Sequence, residues 1–269
     1  MSELPLAAFI VVALFGLIMG SFLNVCIVRL PVDESVVRPR SRCPKCGSSI
    51  SWYDNVPVLS WLLLRGECRS CGQAIPVLYP LVELAVAGIW VGSVLLYGLT
   101  VTALTGGIFG TLLLGIGVTD ARTYLIPDEY TWGGLGLGLV LSVSGGLDGF
   151  LDALLGAAAG FALLYLIAVA GEKLFKKEAM GGGDIKMMAM VGAFLGWQGV
   201  PLTIFGGALL GTLVFLPLQA VRVLVAKAKG RETNELLVPF GVFLSAAAAG
   251  TFVVGDWVVD WYLGYLGVV

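Results

Sequence analysis

The sequence predicts an all-α polytopic membrane protein, and three observations carry that class. The 269 residues are 58% hydrophobic and only 13% charged, with a mean hydropathy of +0.95, and a water-soluble domain of that composition could not cover its own surface with polar groups. Apolar stretches of about 17 to 22 residues recur between short polar breaks, and about 20 residues of helix match the roughly 30 Å hydrocarbon core of a bilayer. A stretch such as "LAAFIVVALFGLIMG" is apolar on every side, which suits a lipid-facing helix and not the alternating strands of an outer-membrane barrel.

Taken in order, the spans are 5–25, 78–98, 101–119, 130–147, 150–171, 186–198, 200–221 and 237–257, about eight in all. They divide the chain into a first transmembrane helix (1–25), a polar loop domain (26–77) and a transmembrane bundle (78–269). Residues Met1 to Gly20 contain Glu3 and lack a basic n-region, so the first span reads as a retained helix and not as a signal peptide. The sixth is short: at about 1.5 Å per residue, Ile185 to Trp197 rises only about 20 Å and reaches partway across. All 16 Lys and Arg residues fall in alternate breaks, among them Arg29, Arg42, Lys45, Arg69, Arg122, Lys173, Lys186 and Arg222. By the positive-inside rule those breaks face the cytoplasm and both termini face out.

The loop after the first span carries Cys43 and Cys46 in one C-x-x-C and Cys68 and Cys71 in a second, each pair followed by glycine, with 21 residues between the pairs. Two such knuckles suit tetrahedral thiolate coordination of zinc, and a four-thiolate site leaves no open position, so the metal is expected to be structural. Disulfides are disfavoured in a loop facing a reducing cytosol. Cys26, beside the first span, reads as a small apolar filler. Between the knuckles, Trp52, Tyr53 and Trp61 are placed near the membrane face, and Asp54 and Asn55 read either as a turn before Pro57 or as functional groups.

Acids gather at two edges of the bundle. Asp128 and Glu129 follow Pro127, an ordinary helix start. Asp120 closes an apolar run at a helix C-terminus, where the backbone dipole disfavours a carboxylate, whereas Asp184 opens a helix, where the dipole favours one. Two carboxylates so placed suit an acid and a base working together, with Asp184 carrying the charge and Asp120 the proton. Gly181, Gly182 and Gly183 are expected to supply positive φ before the helix and room beside an extended substrate backbone. Histidine is absent and no G-x-S-x-G occurs, which excludes a Ser-His triad and a His-ligated catalytic metal.

The ordered set "GSFLNVCIVRLP", "SRCPKCGSSISWYDNVPVLSWLLLRGECRSCG", "YPLVE", "LIPD" and "GGGDIK" resembles the type IV prepilin peptidases, from Gly20 to about Trp197. The resemblance implies a bifunctional bacterial inner-membrane enzyme, an aspartic protease of the G-x-G-D type. Such an enzyme cuts the short basic leader from prepilins and pseudopilins after Gly, then methylates the new N-terminal residue with S-adenosylmethionine. It places the two catalytic acids on Asp120 and Asp184, and Leu78 departs from the Arg that many members carry there. No glycine-rich strand–turn–helix of the soluble cofactor folds is present, so the S-adenosylmethionine requirement comes from the resemblance alone and its site is unassigned. Glu83, just inside the second span, reads either as a group binding the new amino terminus or as an acid snorkelling to the interface. The rival classes are an ion- or proton-coupled transporter and a membrane methyltransferase without protease activity.

Overall fold

The computed structural model describes residues 5–177, 180–228 and 238–265. Lys229 and Arg231, two of the basic residues behind the expected orientation, lie outside the described residues, as does the start of the span expected at 237. The described chain is helical, without a strand beyond two isolated bridges in the polar loop. It divides into two compact units, Met1–Gly115 and Ile116–Val269.

The first unit is built on α1 (Leu6–Arg29) and α3 (Leu78–Tyr97). They pack antiparallel through glycines four residues apart: a Cβ on Gly16 would sit 2.6 Å from Ala87 Cα, and one on Gly20 2.6 Å from Glu83 Cα. Small residues at this spacing let helix backbones approach where lipid supplies no hydrophobic drive for association. The Trp90 indole N–H of α3 donates to Thr111 Oγ1 of α4 (Val101–Thr123) at 3.1 Å. Between α1 and α3 lies the polar loop, with a 3-10 turn at Trp52–Asn55 and the short α2 (Leu59–Leu63).

The second unit holds the end of α4, then α5 (Asp128–Ser142), α6 (Gly146–Phe175), α7 (Gly182–Ala228) and α8 (Phe240–Tyr265). A 3-10 turn at Val143–Gly145 and Gly146 at φ +74° separate α5 from α6, while Gly196, at φ 67° and ψ 180°, breaks α7. Backbone meets backbone where α6 crosses α7: side chains on Gly156 or Gly160 would collide with the carbonyl oxygens of Gly192 and Met188.

Six helical runs among the described residues are long and apolar enough to cross a membrane, so the predicted count of about eight is not exact. The difference lies in Asp128–Phe175 and Gly182–Val221, each a continuous run that the sequence divides in two. Those divisions survive as the Val143–Gly145 turn and the Gly196 break. Up to that break the first part of α7 stays short, as the length of its apolar segment requires.

Candidate active site and metal centre

Each C-x-x-C motif folds into the same knuckle. Cys43 N–H donates to Ser48 O and Gly47 N–H to Cys43 O, both at 2.9 Å; Cys68 N–H donates to Gln73 O at 2.8 Å and Gly72 N–H to Cys68 O at 2.9 Å. Gly47 and Gly72 take φ +72° and +66°, a left-handed turn that a Cβ would strain. The antiparallel bridges Arg42–Ser49 and Glu67–Ala74 close the two knuckles in the same way.

All four sulfurs lie within 4.8 Å of one another, and Cys43 Sγ is 3.8 Å from Cys71 Sγ. That separation is far beyond the ~2.05 Å of a disulfide, and it equals the ~3.8 Å between sulfurs placed tetrahedrally about an ion at ~2.3 Å. The donor set therefore fits a closed tetrahedral metal. Ser48, through its hydroxyl and then its backbone N–H, holds the Cys46 thiol down to about 6, which favours the thiolate a metal requires.

Beside the second knuckle, Arg69 Nε and Nη2 donate to the two Asp54 oxygens at 2.8 and 2.6 Å. The guanidinium holds the Asp54 carboxyl below the usual carboxylate range. Asp54 thus has a structural tie beyond its turn, one that the 15-residue separation hid from a reading of the sequence. Cys26 is buried, as a filler residue should be.

In the second unit, the end of α4 and the starts of α7 and α8 converge. Asp120 lies in the last turn of α4 and is 5% exposed. Asp184 is the third residue of α7, within electrostatic reach of Asp120, and its buried Oδ1 has no hydrogen-bond partner among the described residues. The backbone N–H of Val242 donates to Asp120 Oδ2 at 3.2 Å. Val242 is in the first turn of α8, where helix amides lack internal acceptors.

This contact alters the helix-end argument. An N-terminal helix turn faces each acid, α8 toward Asp120 and α7 toward Asp184, so the contrast that assigned the proton to Asp120 is lost.

The glycines before Asp184 act differently from expectation. None of Gly181, Gly182 and Gly183 has positive φ, and Gly182 and Gly183 already belong to α7. What they provide is proximity: a Cβ on Gly183 would lie 3.0 Å from Ile126 Cβ and 3.5 Å from Ile126 O. Ile126 reaches the other acid too, since a Cβ on Gly241 would meet Ile126 Cδ1 at 2.8 Å and Asp120 Oδ2 at 2.9 Å. Asp128 begins α5 as predicted but makes no side-chain cap; both its oxygens accept from Lys186 Nζ, at 2.7 and 2.8 Å.

Glu83 is buried in α3 of the first unit, 7% exposed, with Oε2 accepting the Val58 N–H at 2.7 Å. It belongs to the lining of a cavity of about 250 Å³ that includes Asn24, Trp61, Tyr79, Cys43 and Cys68. An interfacial snorkelling acid would be exposed, so that alternative does not describe it.

Residues 14–97 match the model of the bacterial peptidase A24 N-terminal domain, and residues 107–216 that of the type IV leader peptidase family. Relatives named prepilin leader peptidase/N-methyltransferase include one from Myxococcus xanthus, 43% identical over 80% of this chain and 62% of its own length. Another, from Aeromonas hydrophila, is 34% identical over 97% of this chain and 95% of its own. A third, from Neisseria gonorrhoeae, is 35% identical over 93% of each. No solved structure matches the chain. With two aspartates at helix ends within electrostatic reach of each other, a paired-knuckle thiolate cluster, and relatives of 34% and 35% identity that cover 97% and 93% of it, the chain belongs to the type IV leader peptidase family.

Proposed function

We propose that this protein cleaves the short basic leader from type IV prepilins and pseudopilins after Gly, and N-methylates the new N-terminal residue with S-adenosylmethionine. The observation that carries the protease reading is the convergence of Asp120 and Asp184 in one site of the second unit, with Val242 N–H on one acid and an unpartnered Oδ1 on the other. Two close carboxylates cannot cheaply both ionise, so the pair shares one proton. The ionised member takes a proton from water as the water oxygen attacks the scissile carbonyl carbon. Its protonated partner gives a proton to the carbonyl oxygen. Collapse of the tetrahedral carbon breaks the C–N bond; the leaving amine takes a proton from one acid while a hydroxyl of the tetrahedral carbon gives its proton to the other, which leaves the pair with one proton again. Gly181 and Gly182, both exposed, leave room for the substrate backbone beside Asp184.

Methyl transfer rests on the names of the relatives. Bound S-adenosylmethionine would supply the methyl group. Zinc is the ion proposed for Cys43, Cys46, Cys68 and Cys71, in a structural role. The distribution of basic residues supports an inner-membrane protein with the thiolate loop and the acid pair facing the cytoplasm. Relatives with these names favour neither a transporter nor a methyltransferase lacking protease activity.

The test is a purified preparation in lipid nanodiscs, given a peptide with a basic leader, a Gly-Phe junction and an apolar helix. Cutting at the junction is expected, as is methyl transfer to a precut peptide. Asp120→Asn and Asp184→Asn should each lose cutting by at least a thousandfold, yet still methylate precut peptide. An Asp120→Asn protein that cuts at the wild-type rate would sink the dyad.

A further inference from the structure

The cavity of the first unit holds a charged group whose balance is incomplete. Glu83 is 7% exposed and stands five residues inside a membrane-spanning helix. A carboxylate in such a place is ordinarily paired or coordinated, because removing it from water is expensive. Its neighbours are the Val58 N–H at 2.7 Å and the Ser21 hydroxyl, both uncharged. Three arginines line the cavity and none of them forms an ion pair with Glu83: Arg29 Nη1 donates to Ser35 O at 2.8 Å, Arg69 is paired with Asp54, and the Arg42 side chain makes no hydrogen bond to Glu83. Among the described residues no basic side chain pairs with Glu83.

The backbone around Glu83 is shaped to hold it. Val58 has φ +60° and ψ −51°, and Leu59 N–H donates to Pro57 O at 2.5 Å, a γ-turn centred on a β-branched residue. That conformation is rare and strained, and strain of this kind gathers at binding sites. Here it turns the Val58 N–H onto Glu83. Opposite, Asn24 Nδ2 donates to Tyr79 O at 3.0 Å and the Trp61 indole N–H to Ile75 O at 3.0 Å. Those bonds fix two walls and leave the Trp61 ring lining the cavity. The lining joins apolar and aromatic side chains such as Val25, Ile50, Trp61 and Tyr79 to polar ones, and of its two carboxylates Asp54 is paired with Arg69 while Glu83 is not, so a concave, part-apolar site keeps one carboxylate for a small organic ligand.

We propose that this cavity binds an organic ammonium group, with Glu83 as its counter-ion. The occupant is one of the two ammonium-bearing participants in methyl transfer, S-adenosylmethionine through its amino acid end or the free N-terminus of the cut peptide. The inference rests on the methyltransferase half of the proposed function and gives that half a place, which the sequence could not.

The test measures equilibrium binding to the full-length protein in detergent, with zinc content as the folding control. Four probes are used: S-adenosylmethionine, 5′-methylthioadenosine, which lacks the ammonium, a precut peptide beginning with Phe, and the same peptide N-acetylated. The wild type should bind at least one ammonium-bearing probe, at least tenfold more tightly than its neutral counterpart. Glu83→Gln should lose that discrimination, and the probe that shows it identifies the source of the ammonium. The proposal is overturned if neither ammonium probe binds, if neutralising the probe costs the wild type nothing, or if Glu83→Gln discriminates as the wild type does. Should Glu83→Gln fail to fold, the wild-type comparison of charged and neutral probes decides alone. Wild-type protein that shows this binding yet transfers no methyl group would refute the methyltransferase reading and leave the ammonium site standing.

Discussion

Lys186 follows Asp184 by two residues and reaches both oxygens of Asp128, so the first turn of α7 is tied to the start of α5 by one ion pair. Its side chains are 34% and 54% exposed, and exposed pairs contribute only about 0.2–1 kcal/mol. Asp128→Asn or Lys186→Met should therefore slow cutting by roughly two- to fivefold without abolishing it. Initial rates on the leader peptide check this, and loss as deep as that of Asp184→Asn would place Asp128 in the chemistry. With one proton shared between Asp120 and Asp184, as proposed, the rate of cutting should be bell-shaped in pH. Both limbs should vanish together in either Asp→Asn variant. Asp120 and Asp184 were legible in the sequence because a carboxylate ending or opening an apolar run stands out. The Lys186–Asp128 pair spans 58 positions and the Val242 donor is a backbone group on another helix, so neither leaves a mark in the local pattern.

At the scale of elements, the knuckles and the α6–α7 seam make opposite demands. Each knuckle is closed by its own backbone hydrogen bonds, but it offers only two sulfurs, so the proposed zinc would hold one to the other. Cys43→Ser combined with Cys68→Ser should bring zinc content to near zero by elemental analysis, and chelation of the wild type should expose the loop to protease. Retention of a full equivalent of zinc in the double variant would refute the site. The seam is held without side chains. Gly160→Ala would drive a methyl into the Met188 carbonyl. Overpacking costs about 1–3 kcal/mol, more than the ~1 kcal/mol that alanine gains over glycine in a helix, so the thermal midpoint in detergent should fall. Spacing alone made the knuckles readable, since ligand geometry fixes it. Helix ends were less readable: hydropathy marks where a chain leaves lipid, whereas Gly196 and the Val143–Gly145 turn change direction without becoming polar enough to end a run.

Across the whole molecule, each unit contains a candidate chemistry of its own, the thiolate loop and the Glu83 cavity in one and the acid pair in the other. Composition established the membrane setting, and the all-helical class followed from it. Invisible in the sequence was the cavity, which is formed by α1, the loop and α3 meeting from positions as far apart as Ser21 and Glu83. The break at Gly196 has a further effect at this scale. From Gly182 to that break α7 rises only about 21 Å at 1.5 Å per residue, and Asp184 stands at its opening turn. A segment shorter than the hydrocarbon it lies in obliges the bilayer to thin or the segment's end to sink. Lipid acyl length then becomes a control on whether water reaches Asp184. Reconstituted in a series of phosphatidylcholines from 14 to 22 carbons, by this mismatch argument, the protein should cut fastest in the thinner bilayers. In the thickest it should slow by about an order of magnitude, so that membrane thickness sets the hydration of the acid pair.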